Sequence, residues 1–276
     1  MVFDRIGTTI DVGRMGNCHA GLVGGTNGLA ADLVRSGLGR ITLMDPQRFE
    51  ISNLQRQDVL AADAERRNFK THACAGLVRS INPDVHVETH ETDLCALADA
   101  DIDRIFGPCD VLIFGTDSFA AQARANQIAL RLGKPAVWIG LYTGGRAGEI
   151  VFHIPGVTPA CYRCICSARY RAHSSGVSDK TSSQGGTILD LRLVDAIAGQ
   201  IAVGALTRGA DNRFGKLIDQ LGNRNLLQVK IDPGYTLNGK DIFARHLGDG
   251  PANFSFTTIA LPMERDPNCP DCGHGE

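Results

Sequence analysis

Short apolar runs alternate with amphipathic stretches of helical periodicity through the first 150 residues. A continuous apolar run such as Val111–Phe114 is typical of a parallel strand that is covered on both faces. Strands that alternate with helices predict a mainly parallel, doubly wound, Rossmann-like α/β sheet. The predicted strands are Ala20–Val23, Ile41–Met44, Val85–Glu88, Val111–Phe114, Ala136–Ile139, Glu149–Ile154, Leu226–Ile231 and Phe254–Leu261. The predicted helices are Gly28–Ser36, Lys70–Ile81, Phe119–Leu132 and Ile188–Leu206.

The charge and composition of the chain exclude several classes of protein. Among its 276 residues, 28 Lys and Arg stand against 30 Asp and Glu, which gives a net charge of −2. Proteins that bind nucleic acid in bulk carry an excess of basic residues, so nucleic acid is not an expected partner. No apolar stretch approaches the ~20 residues that span a bilayer, and residues 1–5 lack the pattern of a signal peptide. We therefore expect a cytoplasmic protein that does not bind membranes.

Nine cysteines in a reducing compartment are not expected to form disulfides, so metal binding and catalysis are considered instead. Two pairs have metal-ligand spacing, Cys161-x-x-Cys164 and Cys269-x-x-Cys272. Two such units match a closed, structural zinc site with four thiolates, although a long stretch of chain separates the pairs. Cys166 offers a competing ligand, and four unrelated thiols are the alternative.

A glycine-rich segment, Gly24-Gly25-Thr26-Asn27-Gly28, joins the first predicted strand to the first predicted helix. Glycine lets the backbone approach phosphate oxygens, and the N-terminus of the helix presents free N–H groups to them. Asp45 follows at the end of the second strand, at the spacing where an acid binds the ribose hydroxyls in a nucleotide-binding βαβ unit. This pattern predicts a nucleotide site, and the alternative is a turn without a ligand.

A polar block, Ser52-Asn53-Leu54-Gln55-Arg56-Gln57, follows shortly after Asp45. It places amides and a guanidinium at the carboxyl end of a strand, where open α/β sheets bind ligands. The fixed fork of donors on Arg56 is suited to phosphate. A solvated surface loop has the same composition and is the alternative.

The chain is predicted to form a single domain, residues 1–276, in two parts. Residues 1–154 form the nucleotide-binding half. Residues 155–276 hold a crossover loop, a helix, late strands that extend the sheet in antiparallel fashion, and a tail pinned by zinc. Within the second part, Ser167–Gly186 is rich in Ser, Gly and basic residues and has no periodicity, which predicts a loop.

Together these features resemble one superfamily, the ubiquitin-activating enzymes of the ThiF/MoeB/HesA type. The most specific part of the resemblance is Asp45 followed by the block Ser52–Gln57. The resemblance covers most of Ala20–Cys166 and the C-terminal tail. Further matching positions are Gly37–Asp45, Lys70, Ile81-Asn82-Pro83, Gly115-Thr116-Asp117, Asn126, Lys134-Pro135 and the two cysteine pairs.

The resemblance implies an ATP-dependent adenylyltransferase that activates the C-terminal glycine carboxylate of a ubiquitin-like or sulfur-carrier protein. It also implies ATP and Mg²⁺ as cofactors and a zinc ion on the two cysteine pairs. A homodimer is expected as well, both from the resemblance and because Ile188–Leu206 is too apolar for a surface helix.

Site residues are likewise implied by the resemblance. The implied nucleotide-binding residues are Gly24, Gly25, Thr26, Asn27, Asp45, Asn53, Arg56, Gln57, Lys70 and Asp117. Asp45 would hold the ribose, and Asn53 would contact the phosphates. Arg56, Lys70 and Asp117 are the implied catalytic residues, the first two on the phosphates and the last on Mg²⁺. Two structural alternatives remain, because Asp117 would also serve as a helix N-cap and Lys70 as an exposed helix residue.

Two departures from the superfamily pattern bear on the reaction. Leu22 and Asn27 stand where the outer glycines of the phosphate loop are expected. The crossover loop, where many relatives carry a catalytic cysteine, has none here, which excludes a thioester in that segment. The reaction then ends at the acyl-adenylate, or a thiol elsewhere receives the acyl group, on this chain or on an acceptor protein. By elimination, the candidate thiols of this chain are Cys18, Cys74, Cys95 and Cys109.

Two other hypotheses stay open at this point. The chain would also suit a scaffold that kept the fold and the zinc and lost turnover. A peptide or a tRNA base would be an alternative substrate of the same chemistry. An NAD-dependent oxidoreductase does not account for the cysteine pairs or the polar block.

In relatives an N-terminal arginine reaches the nucleotide of the partner subunit, and here Arg5 and Arg14 are the two candidates.

Overall fold

The computed structural model of the chain describes residues 3, 5–25, 27–176, 184–237 and 239–273. These residues contain one mixed β-sheet of eight strands. The strands are β1 (His19–Gly24), β2 (Arg40–Met44), β3 (His86–His90), β4 (Val111–Gly115), β5 (Ala136–Leu141), β6 (Ala147–His153), β7 (Leu226–Lys230) and β8 (Thr257–Leu261). Their order is β3-β2-β1-β4-β5-β6-β7-β8. The first five strands pair in parallel, and β6, β7 and β8 continue the sheet in antiparallel pairs. This confirms the predicted doubly wound sheet and its C-terminal antiparallel extension.

Helices cover both faces of the sheet. Those among the described residues are α1 (Val12–Met15), α2 (Asn27–Arg35), α3 (Ala61–Glu65), α4 (Lys70–Ile81), α5 (Asp99–Phe106), α6 (Phe119–Leu132), α7 (Tyr162–Ile165), α8 (Ser167–Ser174), α9 (Ile188–Leu206), α10 (Arg213–Leu221) and α11 (Ala244–Leu247). On one face, Leu29 of α2, Val78 of α4 and Ile201 of α9 belong to the same apolar core. On the other face, Ile105 of α5 and Ile128 of α6 belong to a second core.

The strand order creates a switch point at β1. This strand pairs with β2 on one side and with β4 on the other, so the chain winds away from β1 in both directions. The carboxyl ends of the parallel strands lie at one edge of the sheet. Open α/β sheets bind ligands at such an edge, in the crevice at the switch point.

The segment predicted as a loop, Ser167–Gly186, begins as a helix, so the prediction is wrong for α8. Side-chain contacts with the rest of the chain anchor this helix. Arg169 pairs with Glu149 at 2.5 Å, and the Tyr170 ring meets the Phe119 ring edge-on with centroids 4.9 Å apart. Because the anchoring side chains are Arg169, Tyr170 and His173 rather than an apolar stripe, the sequence shows no helical periodicity there. Residues 177–183 of the segment lie outside the described part of the chain.

The apolar helix predicted at Ile188–Leu206 is α9, with the same bounds. Thr187 and Asp190 form a capping box at its N-terminus. Val194 and Ala198 are buried, and the helix contacts β5, β6, α2 and α10. Packing within the chain therefore buries the apolar residues of the C-terminal half of the helix, whereas Leu189 near its N-terminus is exposed. None of the helices in the described part of the chain has both the length and the apolar character needed to cross a membrane.

Candidate nucleotide-binding cleft and cysteine cluster

A cleft of about 750 Å³ opens at the carboxyl ends of the parallel strands. Eight of the predicted nucleotide-binding residues line it: Gly24, Gly25, Asp45, Asn53, Arg56, Gln57, Lys70 and Asp117. Asn27 is not among the lining residues, and its buried side chain donates from Nδ2 to the Asp58 carbonyl at 3.5 Å. Thr26 lies outside the described residues.

Gly24 and Gly25 bring bare backbone to the base of the cleft. Gly24 has a left-handed φ of 93°, and a Cβ atom there would lie 2.7 Å from the Gly115 carbonyl oxygen. Glycine is required at this position, because any other residue would be strained and would clash with the neighbouring strand. A Cβ atom on Gly25 would lie 2.8 Å from Nε2 of Gln57. The two glycines therefore leave room at the base of the cleft, where the neighbouring strand and the Gln57 side chain approach the loop closely, and a loop without side chains of its own suits phosphate binding through its backbone.

Asp45, directly after β2, and Lys70, the first residue of α4, face the cleft. Asp45 is only 5% exposed, and its Oδ1 accepts a hydrogen bond from the Gln47 amide at 2.8 Å. Burial raises the pKa of the Asp45 carboxyl, and the charge of Lys70 opposes this effect. Lys70 is 7% exposed and donates from Nζ to Oε1 of Gln47 at 2.5 Å. The structure therefore contradicts the alternative of Lys70 as an exposed helix residue.

The polar block forms a partly buried turn rather than a solvated loop. Within the 3₁₀ turn Ile51–Asn53, Oδ1 of Asn53 accepts a hydrogen bond from the Glu50 amide at 3.0 Å. Asn53 is buried, whereas Arg56 and Gln57 are half-buried. No described residue donates a hydrogen bond to the buried Oε1 of Gln57. A buried acceptor of this kind suits a ligand or a water molecule that donates to it.

Asp117 lies two residues after the end of β4, is exposed and lines the cleft. The capping role offered as its alternative belongs to the next residue, because Ser118 Oγ accepts a hydrogen bond from the Ala121 amide at 3.4 Å. The charge of Asp117 contributes to the raised pKa of Asp45. The two carboxylates therefore lie in the same part of the cleft.

The polar residues that line the cleft and were not identified from the sequence include Gln47, Arg48, Arg67 and Asp195. Gln47 and Arg48 follow Asp45 closely in the chain, and this adjacency was the available signal. Arg67 has a left-handed φ of 52°, which is uncommon for a residue with a side chain. Its carbonyl accepts a hydrogen bond from Nη1 of Arg48 at 3.0 Å. The two arginines add positive charge to the cleft.

Asp195 reaches the cleft from α9, beside Val194. An acid in the middle of a mostly apolar helix was the sequence signal for it. Burial raises the pKa of Asp195 to about 7. The charge of Arg192 opposes the increase, and the charges of Asp32 and Asp58 add to it. Near neutral pH the Asp195 carboxyl is therefore partly protonated.

Asp195→Asn is expected to stabilise the protein at pH 8 and to have little effect at pH 4.5. The folded protein keeps a proton on Asp195 up to about pH 7, whereas the unfolded chain releases it near the ordinary pKa of 3.8. The folded state binds more protons between these values, so the free energy of unfolding falls as the pH rises through them. An asparagine at this position does not titrate, so the variant keeps the free energy of unfolding that the wild type loses. Above pH 7 its melting temperature should therefore be a few degrees higher than that of the wild type.

Thermal melting of both proteins from pH 4.5 to 8.5 checks this prediction. Asp84→Asn changes an exposed acid and is the control, for which no pH-dependent gain is expected. Equal melting temperatures for Asp195→Asn and wild type at every pH would contradict the assignment.

The two cysteine pairs, which the sequence predicts to bind zinc, lie together. All four Sγ atoms lie within 4.8 Å of one another, those of Cys161, Cys164, Cys269 and Cys272. Neighbouring sulfurs are 3.5–3.7 Å apart. A tetrahedron with Zn–S bonds of about 2.3 Å has S–S edges of about 3.8 Å, so this set of donors fits zinc. The C-terminal tail folds back onto α7 to form the cluster.

Groups around the cluster donate hydrogen bonds to its sulfurs. The Asp266 amide donates to Sγ of Cys164 at 3.4 Å, and Nδ2 of Asn126 donates to Sγ of Cys161 at 3.7 Å. Such donors orient metal ligands and offset the charge of thiolates. Cys166, the competing ligand, is not part of the cluster and is buried in the core that contains α5 and α6.

The remaining thiols are poorly suited to accept an acyl group. Cys18, Cys74 and Cys109 are buried, and Cys95 is exposed. Burial raises the pKa of both Cys74 and Cys109 to about 12, which leaves little thiolate at neutral pH. The pKa of Cys95 is also raised, by partial burial and by the charge of Asp93. These environments argue against a nucleophilic thiol among the four candidates.

Arg5 and Arg14, the two candidates for an arginine that acts on a partner subunit, do not line the cleft of their own chain. Arg14 lies in α1 and donates from Nη1 to the Arg208 carbonyl at 2.9 Å. Which of the two reaches a partner stays a prediction.

A sequence profile of the ThiF family matches residues 19–223. The SAMP-activating enzyme E1 of Haloferax volcanii is 26% identical over 259 residues, which cover 92% of this chain and 80% of that protein. The sulfur carrier protein adenylyltransferase of Thermus thermophilus is 33% identical over 137 residues, 48% of either chain. Ubiquitin-like modifier-activating enzyme 5 of Dictyostelium discoideum is 29% identical over 174 residues, 59% of this chain and 44% of that protein. The chain thus spans less than half the length of the last two relatives.

Among solved structures, the fold is similar to that of E. coli MccB in its crystal structure with ATP. The TM-score is 0.69, and the match covers 95% of this chain and 68% of that one. Sequence identity over the match is 16%, so the likeness concerns the fold.

Proposed function

Since the chain belongs to the ThiF family, we propose that it is an ATP-dependent adenylyltransferase that activates the C-terminal carboxylate of a ubiquitin-like or sulfur-carrier protein. The observation that carries this proposal is the convergence of eight predicted nucleotide-binding residues on one cleft at the switch point of the sheet. The Haloferax relative is named an activating enzyme and the Thermus relative a sulfur carrier protein adenylyltransferase. These names support both the reaction and the class of substrate.

In the proposed reaction, a carboxylate oxygen of the carrier attacks the α-phosphorus of ATP. The new oxygen–phosphorus bond forms as the bond to the leaving pyrophosphate breaks, and an acyl-adenylate results. Because both reactants are anions, the cleft must supply positive charge. Lys70 and Arg56 are proposed to supply it at the phosphates, and Arg48 and Arg67 line the same cleft.

The remaining polar residues have proposed roles in holding the nucleotide. Bound Mg²⁺ would neutralise phosphate charge, and it commonly takes only one or two protein carboxylates. Asp117, at the end of β4, is the proposed ligand. Asp45 is proposed to accept the ribose hydroxyls, and its hydrogen bond from the Gln47 amide orients its carboxylate for this role. Asn53 is proposed to contact the phosphates.

ATP–pyrophosphate exchange with candidate carrier proteins tests the proposed function. We expect exchange that requires both Mg²⁺ and a carrier with its C-terminal glycine intact, and the same carrier without that glycine is the control. Absence of exchange with every carrier would contradict the proposal. It would favour the scaffold hypothesis, which the altered phosphate loop at Asn27 supports. Exchange with a peptide or a tRNA, and with none of the carriers, would mean that the substrate is not a carrier protein.

Further parts of the proposal concern metal, assembly and location. We propose that zinc occupies the four-cysteine cluster as a closed structural site. A single-domain, cytoplasmic homodimer remains a prediction, and sedimentation at tens of micromolar protein tests the dimer. Because the candidate thiols of this chain are buried or have a raised pKa, any thiol that receives the acyl group is proposed to lie on an acceptor protein.

A further inference from the structure

One side chain connects the cysteine cluster to the cleft. Gln122 of α6 is 4% exposed and lines the cleft. Its Nε2 donates a hydrogen bond to the Thr116 carbonyl at 2.8 Å, and its Oε1 accepts one from the Tyr162 hydroxyl at 2.6 Å. Thr116 directly precedes Asp117, and Tyr162 lies between the two cysteines of the first pair. The two partners use opposite ends of the amide and so fix its orientation.

Tyr162 is itself held on several sides. It is 1% exposed, and its ring stacks on Trp138 with centroids 4.9 Å apart. Its amide donates to Oδ1 of Asn126 at 3.0 Å. Asn126 lies one turn after Gln122 in α6 and donates to Oδ2 of Asp271, between the cysteines of the second pair, at 2.7 Å. Helix α6 is thus tied to both cysteine pairs at one end of this network and to the cleft at the other.

The cleft end of the network is the short loop that carries Asp117. Thr116 Oγ1 accepts a hydrogen bond from the Ser118 amide at 3.2 Å, so the residues on either side of Asp117 are joined to each other. Ser118 caps α6. A shift of the Thr116 carbonyl therefore moves Asp117, and reacting groups tolerate misplacement by about 1 Å poorly.

We propose that Gln122 is a positioning residue that fixes the loop Thr116–Ser118, which carries Asp117, relative to the zinc-bound cysteine cluster. The inference rests on the proposed function, in which Asp117 binds Mg²⁺. The cluster fixes Tyr162, the Tyr162 hydroxyl fixes the amide of Gln122, and the amide fixes Thr116. The metal site at the tail then sets the geometry of the cleft as well as the stability of the fold.

Tyr162→Phe tests the inference with the smallest change, because it removes the hydroxyl and keeps the ring on Trp138. We expect kcat for pyrophosphate exchange to fall about tenfold and the Mg²⁺ concentration for half-maximal exchange to rise about threefold, effects of the size that misplacement produces. The zinc content should stay at the wild-type value. Tyr170→Phe is the matched control, since the Tyr170 hydroxyl is also buried but has no hydrogen-bond partner among the described residues.

Gln122→Met is the second variant, and it removes both hydrogen bonds at similar side-chain volume. If Tyr162 acts through Gln122, the double variant is no slower than Gln122→Met, because the two changes break one path. Wild-type kcat and Mg²⁺ requirement in Tyr162→Phe would overturn the inference. Loss of zinc from Tyr162→Phe together with loss of activity would overturn it too, since damage to the cluster would then explain the result.

A binding measurement separates this inference from the proposed function. Mn²⁺ binding in the presence of a non-hydrolysable ATP analogue can be followed by electron paramagnetic resonance in wild type, Tyr162→Phe and Tyr170→Phe. Weaker Mn²⁺ binding in Tyr162→Phe alone supports the inference even if the wild type exchanges no pyrophosphate, in which case only the adenylation proposal fails. Equal Mn²⁺ binding in all three proteins overturns the inference whatever the exchange assay gives.

Discussion

Cys164→Ser is expected to yield a protein that has lost its zinc and melts about 10 °C or more below wild type. A serine hydroxyl does not replace a thiolate at a closed zinc site, and the binding energy of such a metal is part of the folding energy. Loss of a structural metal is among the few changes that remove more than about 4 kcal/mol. In a domain of about 150–250 residues, each 1 kcal/mol lowers the melting temperature by roughly 2–4 °C. Elemental analysis and thermal melting measure the two effects.

Release of the tail gives this prediction a second, local observable. Cys269 and Cys272 attach the tail to α7, and Arg265 donates a hydrogen bond to the Cys272 carbonyl. Without the metal, we expect trypsin to cleave after Arg265 much faster than in wild type. Cys95→Ser, which changes an exposed thiol outside the cluster, should keep the metal and resist cleavage. A Cys164→Ser protein with one equivalent of zinc and wild-type melting would show that the cluster is not a zinc site.

Sequence periodicity predicted the elements that bury a long apolar stripe. Helices α4, α6 and α9 have the predicted bounds, and each is 12 residues or longer. Helices α5 and α10 were not predicted from the sequence, and they span 8 and 9 residues. A helix that short contributes only two turns to a window of 11–18 residues, and acids such as Asp101 and Asp103 interrupt the apolar pattern of α5. Length alone did not decide the outcome, because α2 also spans 9 residues and was predicted within one residue of its bounds.

The residues of the cleft were predictable where they follow strand ends in the chain. Asp45 comes directly after β2 and Asp117 two residues after β4, and a parallel sheet brings such positions to one edge. Asp195 reaches the same cleft from a helix that lies far along the chain, which depends on how α9 packs on the sheet. The contact of Gln122 with Tyr162 likewise depends on how the cysteine cluster folds against α6. Long-range packing of this kind has no local signature in the sequence.

Asp117→Ala is expected to lower the rate of pyrophosphate exchange at least about 100-fold while zinc content and fold are kept, since one group that stabilises transition-state charge contributes 10²–10³. Removal of the carboxylate takes away the proposed oxygen ligand of Mg²⁺, and with it charge that offsets the phosphates. The loss should fall on kcat, because this charge matters most in the transition state. Exchange kinetics at saturating ATP and thermal melting, measured side by side, check the prediction.

Ser118→Ala separates the chemical role of this loop from its structural role. Ser118, and not Asp117, caps α6 in the structure. Loss of that cap should cost about 1 kcal/mol of stability, whereas Asp117→Ala should melt close to wild type because its side chain performs no capping. If Asp117→Ala instead lowered the melting temperature as Ser118→Ala does, yet retained more than about a tenth of the wild-type exchange rate, the deficit would be under ~1.4 kcal/mol. Asp117 would then be a structural residue of the loop, and the Mg²⁺ ligand would have to be sought among the other acids of the cleft, Asp45, Glu50, Asp93 and Asp195.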